Sequence, residues 1–223
     1  MEKVFVSWSG GKDCCLALYR AVKSGMDVRY LANMVTADGK RSCSHGMNAS
    51  VIKKQAEALG IPIAQKPTTD SNYEEIFTET LKGFKKEGVI GGVFGDIDFN
   101  AHREWIERVC ANAGVTPHLP LWLEDQSKLM DEFIAAGFKS IIVAVKSDLL
   151  GEEVLGRTID KKFLAYIAGL NKGITPCGEA GEFHSLVVDG PIFKRRVVIM
   201  ESEKVTRGEH HFLDIKSLEL KRK

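Results

Sequence analysis

Short apolar runs alternate with helical apolar stripes through the first 121 residues of the chain. The runs are rich in β-branched and aromatic residues, which is typical of buried parallel strands. In the stripes apolar residues recur every three or four positions, as in Tyr73, Phe77, Leu81 and Phe84, which predicts amphipathic helices. Strands are predicted near residues 4–7, 30–35, 61–64, 89–94 and 116–122. This β-α alternation predicts a doubly wound, parallel, five-stranded sheet with helices on both faces.

The pattern becomes less regular after residue 121. Apolar faces around Leu129 and Phe163 predict two helices, and the Ile- and Val-rich run at 138–145 predicts a strand. Further strands are predicted after Phe183, at 197–200 and at 211–215. We therefore predict an α/β domain over residues 1–121, followed by a smaller α+β domain over residues 122–223.

The first predicted strand runs directly into Ser9-Gly10-Gly11-Lys12-Asp13 and then into a helix. Glycines let backbone N–H groups approach an anion closely, and a helix N-terminus adds donors and partial positive charge. A Walker A loop is excluded, because Val6 stands where that motif needs glycine and Asp13 follows the lysine. The dinucleotide fingerprint is excluded as well, because it needs a third glycine. The motif therefore predicts a phosphate site in which Lys12 supplies the full positive charge.

Two further stretches are predicted at the same edge of the sheet, where the parallel strands end. Gly95-Asp96 follows the fourth strand, where a carboxylate could hold magnesium or position a substrate. The alternative for Asp96, as for Asp98, is a helix cap. The polar loop 36–47 follows the second strand and contains His45, which is either a ligand contact or an ordinary surface histidine.

A second cluster of chemically active side chains lies in the C-terminal region. The glycine-bearing turn at 175–182 carries Cys177, Glu179 and Glu182, and His184 follows it. Two carboxylates, a histidine and a thiol beside a flexible turn are typical of a site. From the residues alone, the two glutamates could accept a proton, bind a metal or shape the turn.

Composition narrows the class of protein. The chain has 223 residues and a net charge of +1, so no overall field demands nucleic acid. The basic clusters at 194–196 and 221–223 predict a solvated strand end and a frayed tail. Five cysteines without a Cys-x-x-Cys pair indicate neither a disulfide framework nor a zinc module. With no signal peptide or spanning segment predicted, we expect a soluble, cytoplasmic protein that has no contact with membranes.

These motifs resemble those of known families. Ser-Gly-Gly-Lys-Asp resembles the loop of the PP-loop ATP pyrophosphatases, although Cys14 replaces the usual Ser or Thr. Gly178-Glu179-Ala180-Gly181-Glu182-Phe183, followed by Asp189-Gly190-Pro191, resembles the C-terminal signature of diphthine–ammonia ligases. With Gly95-Asp96 and Leu155-Gly156-Arg157 between them, the resemblance covers nearly the whole chain.

The resemblance implies a Rossmann-like fold of the adenine nucleotide alpha hydrolase type, with ATP and Mg²⁺ as cofactors. It implies an AMP-forming ligase that amidates diphthine on translation elongation factor 2 with ammonium. The catalytic residues implied are Lys12, Asp13, Asp96, Glu179 and Glu182, and Asp13 and Asp96 would hold the metal. The nucleotide contacts implied are Ser7, Ser9, Gly10, Gly11, Lys12, Asp13, Cys14, Asn33, Met34, Val35, His45 and Gly95.

Two alternatives stay open at this point. The first is another acceptor such as tRNA, which would be thiolated, but the absence of paired cysteines lowers that interpretation. The second is an ATP or AMP sensor without turnover, which would have no need for the cluster at 178–182. A homodimer is also left open.

Overall fold

In the computed structural model, which describes residues 1–223, the N-terminal half is a five-stranded parallel sheet with strand order β3-β2-β1-β4-β5. This confirms the predicted fold class. The strands are β1 (Lys3–Ser7), β2 (Asp27–Thr36), β3 (Ile63–Thr68), β4 (Gly91–Val93) and β5 (Thr116–His118). The helices between them are α1 (Lys12–Lys23), α2 (Ala49–Leu59), α3 (Tyr73–Lys86) and α4 (Asn100–Ala113).

Local sequence signals explain where these helices begin and end. Asn48 caps α2 by accepting a hydrogen bond from the backbone N–H of Ser50, and Gly60 ends the helix in the left-handed region at φ 72°. Gly114 ends α4 in the same way at φ 68°. Both helices therefore end at a glycine, the residue that tolerates the left-handed conformation of a helix C-terminus.

The C-terminal half is an antiparallel four-stranded sheet with strand order β7-β6-β9-β8. Its strands are β6 (Lys139–Lys146), β7 (Phe183–Asp189), β8 (Arg195–Arg207) and β9 (His210–Arg222). Its helices are α5 (Gln126–Ala135) and α6 (Lys161–Gly169), with a short 3₁₀ turn at Glu152–Val154. No helix in the chain combines the length and apolar character needed to cross a lipid bilayer.

The hydrophobic core joins the two halves. A cluster of 39 buried residues includes Val6 and Leu18 from the first half as well as Phe163 and Phe183 from the second. Leu121, at the predicted boundary, is itself in this cluster and fully buried. A second cluster of 13 buried residues lies under α3 and α4 on the other face of the parallel sheet. The division at 121/122 stays a prediction, and the shared core means that the halves contact each other extensively.

The last two strands are much longer than predicted. Each has 13 residues, and they form a hairpin that places Arg195 opposite Arg222 and Arg196 opposite Lys221. The prediction of a frayed basic tail was therefore wrong, since the tail is the end of β9. Most residues in the middle of the hairpin are exposed on both faces, so the strands lack the alternation from which a half-buried strand is predicted.

Candidate active site

The phosphate loop connects the end of β1 to the start of α1, and it needs both of its glycines. Gly10 has φ +82°, and a Cβ there would lie 2.7 Å from Gln55 Oε1 and from Ile52 Cδ1. A Cβ on Gly11 would lie 2.6 Å from His45 Cε1. The positive φ favours glycine at position 10, and a Cβ at either position would require the side chains of Gln55, Ile52 or His45 to move. The loop therefore packs tightly against α2 and the loop that follows β2.

The C-terminal half holds the phosphate loop in place. The backbone N–H of Lys12 donates to Ser185 Oγ at 3.1 Å, and the Val187 N–H donates to the Gly10 carbonyl at 3.0 Å. Gln55 donates to the carbonyls of both Gly10 and Val187, at 2.9 and 2.7 Å. Strand β7 thus lies directly against the loop, and the site is built from both halves of the chain.

Lys12 and Asp13 form a buried ion pair at the first turn of α1. Lys12 Nζ lies 2.8 Å from Asp13 Oδ2, and the lysine side chain is only 5% exposed. Burial alone would lower the pKa of Lys12, but the charge of Asp13 and its hydrogen bond, together with the nearby Cys177 and Glu179, outweigh burial, and the pKa lies above its usual range. Burial raises the pKa of Asp13, and Lys12 offsets part of that rise. The ammonium also lies 5.3 Å from the centre of the Phe183 ring, so Lys12 stays charged where an anion can reach it.

A cavity of about 570 Å³ opens beside this ion pair at the carboxyl ends of β1 and β4. That volume is within the range of small-molecule sites, roughly 300–1,000 Å³. Its wall combines residues from both halves of the chain. The lining side chains that bear charge, polarity or an aromatic ring are Ser7, Ser9, Lys12, Asp13, Cys14, Ser44, His45, Tyr73, Phe94, Asp96, His102, Trp105, Glu179, Phe183, His184 and Ser185.

Asp96 reaches this cavity because Gly95 packs directly against the start of α1. A Cβ on Gly95 would lie 2.8 Å from the backbone carbon of Asp13 and from the backbone nitrogen of Cys14. The glycine therefore brings the end of β4 against the phosphate loop. Asp96 Oδ1 lies 3.1 Å from His102 Nδ1, and this hydrogen bond raises the pKa of His102. The charge of Asp96 also contributes to raising the pKa of Asp13, so the two carboxylates lie near one another.

Glu179 supplies a third carboxylate to the cavity, from the C-terminal half. Burial, reinforced by the charge of Asp13, raises the pKa of Glu179 to about 7. Its backbone N–H donates to Thr175 Oγ1 at 3.0 Å, and its Oε1 accepts from the Ile97 N–H at 3.4 Å. Glu179 is therefore a carboxylate that can gain or lose a proton near neutral pH.

His45 and His184 stack over the phosphate loop, with ring centres 4.5 Å apart and 22° between the planes. Burial and the neighbouring His184 lower the pKa of His45 well below its usual range. Burial and Lys12 lower the pKa of His184 to about 4. Both rings are therefore neutral at pH 7, and His45 Nδ1 is buried without a hydrogen-bond partner.

Comparison with known families identifies the chain from both of its halves. A family model described as the diphthamide synthase N-terminal domain matches residues 2–117. A second, described as the diphthamide synthase C-terminal domain, matches residues 125–220. The chain belongs to the diphthamide synthase family.

Individual relatives carry the name diphthine–ammonia ligase. The protein from Danio rerio is 29% identical over 231 residues, which cover 93% of this chain and 90% of that protein. The Homo sapiens protein is 28% identical over 231 residues, covering 93% and 86% respectively. The Schizosaccharomyces pombe protein is 31% identical over 238 residues, covering 96% of this chain but only 39% of that longer protein.

A solved structure from Methanocaldococcus jannaschii, described as a predicted subunit of tRNA methyltransferase, is less similar. It has 16% sequence identity and a TM-score of 0.47, covering 85% of this chain and 98% of that chain. A likeness at this level does not bear on function.

Most of the residues that the sequence predicted for the site of this diphthamide synthase family member do meet at the cavity. Ser7, Ser9, Lys12, Asp13, Cys14, His45, Gly95, Asp96 and Glu179 all line it. Gly10 and Gly11 do not line the cavity, but they allow the loop to pack closely against its neighbours. The Cys14 thiol donates to the Gly11 carbonyl at 3.2 Å, so the residue that departs from the usual Ser or Thr helps to hold the loop.

Glu182 lies outside the cavity wall. It is 3% exposed, and its Oε1 accepts from the backbone N–H of Thr175 at 2.8 Å. Its Oε2 is buried without a partner. Glu182 therefore supports the turn on which Glu179 stands, and the two glutamates occupy different environments although only two residues separate them.

The three residues expected to contact adenine also lie outside the cavity wall. Asn33 donates to the Trp8 carbonyl and to Ser42 Oγ, both at 2.9 Å. The Met34 carbonyl accepts from the Cys43 N–H at 3.0 Å, and Val35 bridges to Ser42. The loop after β2 thus folds back over the end of the strand and occupies its polar groups.

Part of the cavity wall comes from residues that the sequence did not mark as functional. Tyr73 belongs to the predicted apolar stripe of α3 and Trp105 lies on α4, yet both line the cavity. Ser185 and Phe94 were treated as ordinary strand residues. Helical spacing does not distinguish an aromatic residue that is buried in the core from one at the end of the helix that faces a cavity, so no sequence signal marked them.

Proposed function

We propose that this chain is an AMP-forming ligase that amidates the diphthine carboxylate of translation elongation factor 2, using ATP, Mg²⁺ and ammonia. One observation carries the proposal: the Lys12–Asp13 pair of the phosphate loop and Glu179 of the C-terminal half open onto one cavity. The substrate is inferred from the names of the relatives, and the chemical steps are inferred from the charged side chains of the cavity.

In the first step a diphthine carboxylate oxygen attacks the α-phosphorus of ATP, and pyrophosphate leaves. Negative charge grows on the departing phosphates, so a fixed cation beside them lowers the barrier. Lys12 is that cation, because Asp13 and the Phe183 ring keep its ammonium charged although the side chain is buried. Gly10 and Gly11 let the backbone come close to the phosphates.

The charges of the cavity fit a requirement for Mg²⁺. Three carboxylates line it, from Asp13, Asp96 and Glu179, against one ammonium from Lys12. A polyphosphate would be repelled from such a wall unless a divalent cation came with it. Mg²⁺ is commonly held by one or two carboxylates together with substrate phosphates, and Asp13 and Asp96 are the residues that would hold it.

In the second step ammonia attacks the activated carbonyl carbon, the bond to AMP breaks, and the new nitrogen gives up a proton. Glu179 is suited to take that proton, because a pKa of about 7 leaves much of it ionised and ready to accept at neutral pH. Neutral His45 and His184 add no competing positive charge beside the attacking ammonia.

The alternative of thiol transfer has little support in this structure. Cys177 is buried, and burial raises the pKa of its thiol to about 12, so it holds no reactive thiolate at neutral pH. Burial would raise the pKa of the Cys14 thiol, but hydrogen bonds from Cys15 and Ser9 lower it; that thiol, however, is buried and donates to the Gly11 carbonyl at 3.2 Å, so it serves the loop. Family membership likewise favours a ligase over a sensor that binds ATP without turnover.

Product analysis tests the proposal. The protein is incubated with ATP, Mg²⁺, ammonium and elongation factor bearing diphthine, and AMP, pyrophosphate and the mass of the modified residue are measured. We expect AMP and pyrophosphate in equal amounts, with the acid-to-amide mass change on the factor. The matched control is the same factor with an unmodified histidine, which should yield neither AMP nor amide.

Two outcomes would contradict the proposal. AMP formed at the same rate with either factor would point to another acceptor. Nucleotide binding without AMP would point to a sensor.

Omission of Mg²⁺, with chelator present, should abolish AMP formation, and full activity in chelator would remove the metal from the proposal.

A further inference from the structure

One wall of the cavity is aromatic, and the ligase chemistry described above does not use it. Tyr73 from the first turn of α3, Trp105 from α4 and Phe94 after β4 all line the cavity. Phe94 is buried, whereas Tyr73 and Trp105 are half-buried and present part of their rings to the space. Three aromatic residues from three separate elements therefore meet at one side of a cavity whose other side is the phosphate loop.

The rings are held rigidly from behind by Phe77, which is 1% exposed. The ring centres of Phe77 and Trp105 are 5.1 Å apart, and those of Phe77 and Tyr73 are 6.3 Å apart and nearly parallel. The Tyr73 and Trp105 centres lie 5.8 Å apart with 50° between the planes. Two tilted faces at this spacing form an open corner rather than a closed stack, so a compact group can contact both faces.

The surroundings of this corner are negative. Asp96 and Glu179 line the same cavity, and Asp96 lies close enough to Tyr73 to contribute, after burial and Cys43, to raising the pKa of the phenol to about 12. The phenol therefore stays neutral and keeps its electron-rich face. Aromatic faces combined with carboxylates favour a cation, and especially one without N–H groups, which aromatic rings can desolvate at little cost.

We propose that Tyr73 and Trp105 form the subsite for the trimethylammonium group of diphthine, an inference that rests on the proposed function. In diphthine the quaternary nitrogen and the reacting carboxylate are attached to the same carbon. A carboxylate placed against the phosphate loop must therefore bring the cation to a nearby wall of the same cavity. The aromatic corner is such a wall, and Lys12 lies on the opposite, phosphate-binding side.

This subsite would make the enzyme prefer the methylated substrate over its unmethylated precursor. The unmethylated precursor carries a primary ammonium at the same carbon, which is smaller and more strongly hydrated. A ring face accepts hydrogen bonds only weakly, so the two faces would replace the hydration of that ammonium poorly. Adenine is a flat group that could also stack on Trp105, but it is uncharged, so the negative charge of the carboxylates would not attract it as it attracts a cation.

The test compares two elongation factors that differ only in methylation, one with diphthine and one with its unmethylated amino precursor. The ratio of kcat/KM for the two factors is measured by AMP formation in the native protein, Trp105→Leu, Tyr73→Leu and the conservative Trp105→Phe. Removing one aromatic face should reduce the ratio about 3- to 30-fold, with the KM for ATP unchanged. Trp105→Phe should keep most of the ratio, and Tyr166→Leu, outside the cavity, should keep all of it.

A rise in the KM for ATP with an unchanged ratio would assign the wall to adenine and overturn the subsite. If the ratio and the ATP kinetics are unchanged in every variant, the aromatic residues only stabilise the fold and the proposal is overturned. Failure of the proposed function is distinct, since the native protein would then form no AMP with the diphthine factor.

If the leucine variants do not fold, competition on the native protein decides. Tetramethylammonium should compete with the diphthine factor but not with ATP. Competition with ATP, or no inhibition at concentrations where simple salt is inert, would overturn the proposal.

Discussion

The phosphate loop and the turn carrying Glu179 meet at one cavity, yet they reach their geometry in different ways. The path of the loop follows from adjacent residues, a strand, two glycines and a helix start, with Gly10 at φ +82°, although Ser185 and Val187 also hydrogen-bond to it. The turn at 175–182 depends more on distant partners. The Cys177 N–H donates to Gln126 Oε1 at 3.1 Å, and Lys146 Nζ donates to the Ala180 carbonyl at 2.9 Å.

The two segments also contribute different chemistry. The loop brings a permanent cation, since Lys12 is held charged by Asp13. The turn brings a group that titrates, since burial moves the pKa of Glu179 to about 7. Under the proposed function, the first half would bind the phosphates, whereas the second half would set how the reaction depends on pH and on the acceptor.

The largest effect is expected for Lys12→Ala. It removes the only lysine or arginine that lines the cavity, so kcat/KM for ATP should fall about 100- to 1,000-fold. The measurement is AMP release at saturating elongation factor. Lys53→Ala, an exposed lysine on α2, is the matched control and should retain the native rate. An unaffected Lys12→Ala protein would refute the phosphate-loop assignment.

Glu179→Gln should have the next largest effect, a loss of about 100-fold in amide formation with nucleotide binding retained. In the native protein the rate at a fixed concentration of free ammonia should rise as pH passes upward through about 7, because Glu179 loses its proton there and becomes a base. The variant should lose that limb of the profile. The exposed Glu201→Gln is the control, and a persisting limb in Glu179→Gln would assign it to another group.

Glu182→Ala sharpens the contrast between the two glutamates. It leaves the Thr175 N–H without the oxygen that accepts its hydrogen bond, so the unfolding free energy should fall by about 1–3 kcal/mol. Amide formation by the folded protein should fall much less than in Glu179→Gln. Denaturant titration and the amidation assay measure the two effects separately, and a catalytic loss equal to that of Glu179→Gln would return Glu182 to the chemistry.

Gln55→Ala tests the hydrogen bonds that join the two halves of the chain. It removes hydrogen bonds to the carbonyls of Gly10 and Val187 and leaves Trp8 Nε1, which donates to Gln55 at 3.0 Å, without its acceptor. We expect about 1–3 kcal/mol of lost stability by denaturant titration, compared with Lys53→Ala on the same helix. Stability equal to that of the control would mean that these hydrogen bonds between the two halves add nothing to the unfolding free energy.

The smallest effect is expected for Ser185→Ala. It frees the Lys12 backbone N–H, which donates to Ser185 Oγ in this structure, so the Kd for ATP should change only a few-fold, about 1 kcal/mol or less. Isothermal titration with ATP measures the change. Ser202→Ala, an exposed serine in β8, is the control. A loss as large as that of Lys12→Ala would show that Ser185 does more than hold the loop.

The sequence by itself determined the elements whose patterns are local. Alternating strands and helical stripes predicted the parallel sheet, because buried strands and amphipathic helices have different periods. Ser9 to Asp13 predicted the phosphate loop, because glycine and helix-start geometry are properties of adjacent residues. The motif at 178–183 likewise led to the family, since a signature is a pattern of neighbours.

Only the tertiary structure decided which of those residues share a cavity. It separated Glu179 from Glu182, stacked His45 on His184 and placed Tyr73 and Trp105 at the cavity wall as well as against the core. It also extended the final hairpin, whose exposed strands are specified by their pairing with each other. The physical reason is the same throughout: burial, pKa shifts and ring contacts depend on residues far apart in the chain, which periodicity and spacing do not report.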